Sequence, residues 1–361
     1  MMCKQGKVGK MKMSMIEQLR KKHAHDMSAA IKAISYCLPP KIETKEDLSR
    51  EFPEWSAERI GLKTGIDERH IVDENVCSSD LGFESSQRLF AENDVKPSEI
   101  DFILLCTQSS DYFLPTTACL LQDRLGIPQT AGALDFNLGC SGFIYGLALA
   151  KGLIETGQAQ NVLLITAETY SKFISPRDKS VRSIFGDAAA STLVSASEGG
   201  SVGPFTFGTD GSGGKHLIVK TGGMRQRQPF AMGTESVDEF GNVRDENCLY
   251  MNGPEILNFT LRVVPSLVAS LRKKSSLNED QIDYHIFHQA NKYMLDLLRK
   301  KLGIAPEKFC EHLAGSGNTV SATIPIALHH AIKSGRVRRG HRLMLVGFGV
   351  GLSWAGCMVQ L

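Results

Sequence analysis

The chain has 361 residues, 42% of them hydrophobic and 22% charged, with a formal net charge of +2. That length is too great for one small core and suits two packed halves, while the near-neutral charge gives no footing for a nucleic-acid partner. No apolar run approaches the roughly 18 residues of a membrane span. Nine cysteines without C-x-x-C spacing point to free thiols in a reducing compartment, most simply the cytoplasm, and to neither a zinc site nor a disulfide framework.

Residues 1–26 are basic and Met-rich and lack the apolar segment of a signal peptide. They read as a flexible extension, with ordered sequence beginning at "SAAIKAISYCLP". "SEIDFILLCTQSS" from Ser98 has the form of a buried strand. "DFNLGCSGFIYG" from Asp135 then sets Cys140 between a strand and a helix that starts near Ser141. A cysteine is often a small core residue. At a helix N-terminus, however, the free N–H groups and the dipole favour a thiolate. "NVLLIT" from Asn161 reads as another strand, and the polar stretch of about 222–250 as either a surface insertion or a lid. "DQIDYHIFHQANK" from Asp280 brings a strand ending at His288, "GSGNTV" carries Asn318, and "RLMLVG" from Arg342 precedes the Gly-rich "GFGVG".

These segments echo one another. Ser98–Ser110 in the first half matches the stretch from Asp280 in the second, "RLGIPQ" matches "KLGIAP", "LGCSGF" matches "GSGNTV", and "NVLLIT" matches "RLMLVG". Asp101 and Asp283 stand 182 apart, and Cys140 and Asn318 stand 178 apart. Two similar α/β halves, 27–200 and 201–361, would place equivalent strand ends around a common centre. Cys140 would be the counterpart of Asn318, and His288 of Cys106. Chemistry in open α/β sheets gathers where strands end, so Cys140, His288 and Asn318 are expected to converge.

With "KTGIDERHI", "NLGCSGF", "IFGDAAAS", "HQAN", "GNTVSATIPIAL" and "GFGVGLSWAG" in this order, the chain from about Met27 resembles the thiolase superfamily, and within it the beta-ketoacyl-[acyl-carrier-protein] synthase III family. The resemblance implies a five-layer αβαβα sandwich, a Cys140–His288–Asn318 triad, and decarboxylative condensation of an acyl starter with a malonyl thioester. It implies no metal and no cofactor, with CoA and acyl-carrier-protein thioesters as substrates, and a homodimer in which Leu114 reaches the partner's acyl pocket. In this chemistry Cys140 takes the acyl group, the N–H groups of Cys140 and Val350 hold the oxyanion, and neutral His288 and Asn318 both donate to the enolate. CoA and pantetheine contacts are expected from Arg59, Lys63, Lys179, Gly253, Ala290, Asn291 and Phe348, and carrier-protein docking from Lys292, Arg299 and Lys300.

The chain departs from the family at several of these positions. Arg59 stands where the family has Trp, Lys63 and Lys179 where it has Arg, Tyr293 where it has Arg, and Val350 where it often has Gly. Lysine offers a point charge in place of a planar fork, so a changed donor preference or drift on a solvated rim are both open. A specialised paralogue in lipid or secondary-metabolite synthesis, a non-decarboxylative thiolase-type enzyme and a non-catalytic partner are the alternatives. Thiolase chemistry needs a second cysteine near the C-terminus, and Cys357 fits poorly inside a strand; loss of the nucleophile would mark the non-catalytic partner, and Cys140 is intact.

Overall fold

The buried strands follow a period of two, and that alternation builds the layers. In the computed structural model residues 28–230, 235–238 and 241–361 are described, so the extension 1–26 lies outside the described residues. The first half contains β1 (Ser28–Cys37), β2 (Lys41–Thr44), α1 (Lys45–Glu51), α2 (Ala57–Thr64), β3 (Glu68–Ile71), α3 (Ser78–Asn93), β4 (Phe102–Cys106), α4 (Thr117–Arg124), β5 (Gly132–Phe136), α5 (Gly142–Glu155), β6 (Asn161–Glu168), the short turn α6 (Lys179–Arg182) and β7 (Ala188–Ser197). Its sheet has the order β1-β7-β6-β4-β5.

The second half begins with β8 (Ser201–Thr209) and β9 (Leu217–Val219). The hairpin β10 (Ser236–Val237) and β11 (Val243–Arg244) comes next, then β12 (Leu249–Met251) and α7 (Gly253–Ser275). It continues through β13 (Tyr284–Phe287), α8 (Lys292–Leu302), α9 (Thr323–Lys333), β14 (Arg342–Gly349) and β15 (Ser353–Gln360). Its sheet has the order β13-β14-β15-β8.

Side chains on alternate residues of a strand face opposite sides of its sheet. On β4 and β6, Leu104, Val162 and Leu164 face α5 and α9, where they meet Phe143, Leu147, Ile324 and Leu328. Their neighbours Ile103, Leu105, Leu163 and Ile165 face outward onto Leu81 and Leu89 of α3 and Leu121 of α4. On β14, Leu343 and Leu345 join the central layer, and Met344, Val346 and Phe348 join α7 and α8 on the far side. Two sheets around a shared helical layer, each covered outside by helices, make the αβαβα thiolase-like sandwich.

The two halves also share a fastening. The Asp101 carboxylate accepts from the N–H groups of Gln160 and Asn161 at 2.7 and 2.9 Å, at the start of β6. The Asp283 carboxylate accepts from the N–H of Arg342 at 2.7 Å, at the start of β14. Even β5 has a trace in the second half, a parallel bridge between His285 and Phe309.

Candidate active site

Cys140 lies where β5 has ended and α5 begins, with Ser141 at the N-cap position. The turn fits because glycines face it from β14. A Cβ on Gly347 would come within 2.6 Å of the Cys140 carbonyl oxygen, and one on Gly349 within 2.8 Å of Sγ. Ser141 Oγ meets Ser353 Oγ at 2.6 Å and ties the turn to β15. The backbone N–H groups of Val350 and of Cys140 itself both hydrogen-bond the sulfur and favour its anion. Burial opposes them and prevails, pushing the thiol up to about 12, with the Glu168 carboxylate adding to the rise. In the closed site, loss of solvent thus works against the helix N-terminus, which alone would favour the thiolate.

His288 follows β13, and its N–H bonds the Val346 carbonyl at 2.8 Å. Its ring lies against Phe348 edge to face, with centroids 5.6 Å apart. Burial lowers its pKa to about 3, so the ring is neutral. Nδ1 is 2.7 Å from Thr323 Oγ1, and that hydroxyl donates to the Val320 carbonyl at 3.0 Å. Asn318 precedes a 3₁₀ turn over Val320–Ala322, and α9 starts only at Thr323, so Asn318 lies ahead of that helix. Its Oδ1 accepts from the Val320 N–H at 2.9 Å, which leaves its NH₂ as the free, donating end. Its backbone is fixed by Ile184 and Gly186 of the first half.

Val320 connects all three. It adopts φ +55, an outlier for a β-branched residue, while fully buried. Its N–H holds Asn318, its carbonyl holds Thr323 and through it His288, and its Cγ1 lies 3.2 Å from where a Cβ on Gly139 would stand, next to Cys140. The three residues expected to converge are thus brought to one place.

Sequence reasoning missed two residues, one beside this place and one among the expected nucleotide contacts. Glu168 ends β6 fully buried, accepting from Gln108 N at 3.0 Å and Ser321 Oγ at 2.8 Å; burial raises its pKa to about 8. An ionisable residue closing an apolar strand run was the available signal. Trp55 is the other. Its ring centre is 5.3 Å from Lys63 Nζ and 5.9 Å from Lys179 Nζ, so an indole stands beside the expected nucleotide contacts, four residues before Arg59.

Other expected contacts differ. Lys179 is buried and its Nζ is paired with Glu54 at 2.5 Å, so its charge is already neutralised. Lys292 bonds both Glu311 oxygens at 2.8 Å in an exposed pair, and Arg299 turns to the Ile304 carbonyl at 3.3 Å, which leaves Lys300, exposed, as the uncommitted one of the three. Asn291 caps α8 through Met294 N at 2.9 Å, so its side chain is committed. Gly253 opens α7, with no heavy atom within 4 Å of a built Cβ. Ala290 and Phe348 are buried, whereas Arg59, Lys63 and Leu114 are exposed. Cys357 is fully buried within β15, and burial alone raises its pKa. The β10–β11 hairpin of the polar segment docks on the turn before α6: Glu235 pairs with Arg177, and Arg244 with Asp178.

Among the described residues no cluster of three or more His, Cys, Asp or Glu side chains is arranged to hold a metal ion, and no helix is long and apolar enough to cross a membrane.

Residues 272–361 match the family model described as 3-oxoacyl-[acyl-carrier-protein (ACP)] synthase III C terminal, and residues 134–211 match that of 3-oxoacyl-[acyl-carrier-protein (ACP)] synthase III. The chain is 38% identical over 324 residues to the beta-ketoacyl-[acyl-carrier-protein] synthase III of Clostridium perfringens, covering 89% of this chain and 96% of the relative. To that of Caldanaerobacter subterraneus it is 36% identical, covering 92% and 98%. A crystal structure of a 3-oxoacyl-(acyl-carrier-protein) synthase III superposes with a TM-score of 0.90 at 50% identity, covering 92% of this chain and all of that one. The Thermus thermophilus enzyme superposes with a TM-score of 0.81 at 33% identity, covering 92% and 99%. With its layers, its buried thiol and this near-full-length similarity, the chain belongs to the beta-ketoacyl-[acyl-carrier-protein] synthase III family.

Proposed function

We propose that the chain catalyses the initiating condensation of fatty-acid synthesis: an acyl starter, carried on CoA or a carrier protein, reacts with malonyl-acyl-carrier protein to give a 3-oxoacyl thioester and CO₂. The observation that carries this reading is the buried Cys140 thiol, faced by the Val350 and Cys140 N–H groups and set near a neutral histidine and an amide whose NH₂ is free. Sγ attacks the starter thioester, and the two N–H groups bind the tetrahedral oxyanion. CoA departs and leaves acyl-Cys140. Malonyl thioester then loses CO₂, its electron pair passes into an enolate, and the enolate carbon attacks the acyl carbonyl. The new C–C bond forms as the C–S bond to Cys140 breaks. The Asn318 NH₂ is oriented to donate to the enolate oxygen, since its carbonyl end is taken by Val320.

Several parts of this reading rest on placement. Trp55, beside Lys63 and with Arg59 exposed on the same helix, offers a flat face for an adenine. Lys300 is the exposed cation for an acidic carrier protein. Tyr112, Phe113 and Leu114 are 63, 77 and 82% exposed, an apolar tip suited to a second copy of the chain. The eight free cysteines among the described residues suit a cytoplasmic setting. The halves 27–200 and 201–361 are read as one duplicated unit.

Intact-mass measurement after incubation with a panel of acyl-CoAs tests the reading. One acyl mass should appear on the protein and vanish in Cys140→Ala, and malonyl-carrier protein should then discharge it with CO₂ release. Stoichiometric acylation of Cys140→Ala would sink the assignment of the nucleophile, and discharge without CO₂ would point to thiolase-type chemistry.

A further inference from the structure

Away from the reacting centre, three imidazoles meet where the two halves join. His329 and His330 lie in α9, and His312 lies in the connection between α8 and α9. The His312 and His330 rings are 3.9 Å apart between centroids, and the His329 ring is 5.7 Å from that of His330. Tyr36 of β1 completes the group from the first half, 5.3 Å from the ring of His329 and from that of His330. Its phenol meets His330 Nε2 at 2.9 Å, and its ring packs with Ala188 and Ala190 of β7 and Ile326 of α9. His329 Nδ1–H donates to the Ile34 carbonyl of β1 at 2.7 Å, since a carbonyl only accepts. Two ring nitrogens of the second half are thus engaged by the first, and the group makes no metal centre.

We infer that His312, His329 and His330 form an acid-sensitive joint between the two halves, closed while the rings are neutral and opened by protonation. Two imidazolium rings 3.9 Å apart repel strongly in a half-buried place, and the charged groups around them are already engaged. Arg88 of α3 pairs with Glu84 at 3.1 Å, and Glu92 of α3 accepts from Ser35 Oγ at 2.6 Å. These two act on the Tyr36 phenol with opposite signs. Glu311, next to His312, is paired with Lys292. Lys333, three residues after His330 in the last turn of α9, adds a further positive charge. From β13, His285 turns its Nδ1 to the Lys308 carbonyl at 3.2 Å, and β7 carries no ionisable side chain.

Burial lowers the pKa of His330 to about 4, with His312 and His329 adding to the fall; burial, then His329, lowers that of His312. Both lie below the ordinary 6.5, so in that window the opened joint binds more protons than the closed one. The joint is fully closed above about pH 6.5 and loosens as pH falls toward 4. Glu168 acts in the opposite direction, since its contribution is lost as pH rises through about 8. The joint also adjoins the peptide that carries His288. The His312 N–H donates to Gln289 Oε1 at 2.7 Å, and buried Gln289 directly follows His288. Opening at His312 therefore leaves that amide oxygen without its donor, one residue from the reacting centre.

The test is amide hydrogen exchange of the full-length protein, followed peptide by peptide from roughly pH 7.5 to 5 and corrected for the intrinsic pH dependence of exchange. If opening takes up one proton, its equilibrium rises about tenfold for each pH unit lost. Peptides covering 310–317 and 329–335 should show that rise below about pH 6.5, and peptides from β14 should not. His330→Gln removes one ring and its repulsion of His312 while keeping an acceptor for the Tyr36 phenol. In that variant the rise should drop below about threefold per pH unit. No rise in the wild type, the same rise in His330→Gln, or an equal rise in β14, which would mean unfolding of the whole molecule, would each overturn the inference. Ring NMR of the wild type gives an answer even if His330→Gln fails to fold: a neutral His330 is expected at about pH 6, and a charged one in the closed protein overturns the joint. No readout here uses acyl transfer, so failure of the condensation reading would leave the outcome unaffected.

Discussion

His288 and Asn318 differ in what their surroundings leave free, and that difference is measurable. Asn318→Ala should keep acylation of Cys140 and lose decarboxylation by ~10²–10³-fold, the usual cost of one oxyanion donor. Separate assay of the two half-reactions checks this, and an equal loss of both would contradict the role given to Asn318. Glu168 governs a different observable. Its folded pKa of about 8 lies above its ordinary value of 4.5, so between these limits the folded chain holds more protons than the unfolded one. The stability from the neutral carboxyl is complete below about pH 4.5 and is lost as pH rises through 8. Glu168→Gln should flatten the fall of Tm across that window; a parallel fall in both proteins would assign it to other groups. Asn318 was singled out by the sequence and Glu168 was not, and a sequence shows neither which of their atoms are already bonded nor how deeply they lie.

At the level of elements, local pattern told much and long-range pairing told little. The strand-to-helix turn at Cys140 and the repeat of Asp101 in Asp283 were legible, since each rests on a few adjacent residues. The matching bonds to the starts of β6 and β14 give that repeat a physical purpose. Asp283→Ala should cost about 0.5–1.5 kcal/mol, the net range for one hydrogen bond in solvent, read as a shift in denaturation midpoint. What could not be foreseen was burial of the thiol, which depends on Gly347 and Gly349 more than 200 residues away, and the cancellation of Lys292 by Glu311. That cancellation re-ranks the charges of α8. Lys300→Ala should raise the apparent KM for malonyl-carrier protein by up to ~5-fold at low salt, the ceiling for one surface charge. Lys292→Ala should change it less, and the reverse order would show that Glu311 does not neutralise Lys292 in the complex.

The whole molecule presents an open edge at β5, where Leu134 is 45% exposed, close in sequence to the apolar tip at Tyr112–Leu114. If this tip carries the proposed homodimer, Phe113→Ser with Leu114→Ser should lower the sedimentation coefficient to that of a monomer, and an unchanged coefficient would free the tip from any role in assembly. The rim near Trp55 has another property at this scale. Lys179 is neutralised by Glu54 and Lys292 by Glu311, while Lys63 stands over the indole. The nucleotide-bearing donor proposed above would therefore meet only Arg59 and Lys63 as uncommitted positive charge on this rim. With steering limited to those two charges, its capture would be mainly diffusional search and orientation, and ionic strength should alter it only modestly. Competing starters then arrive at similar rates, and the enzyme chooses among them by how long each remains.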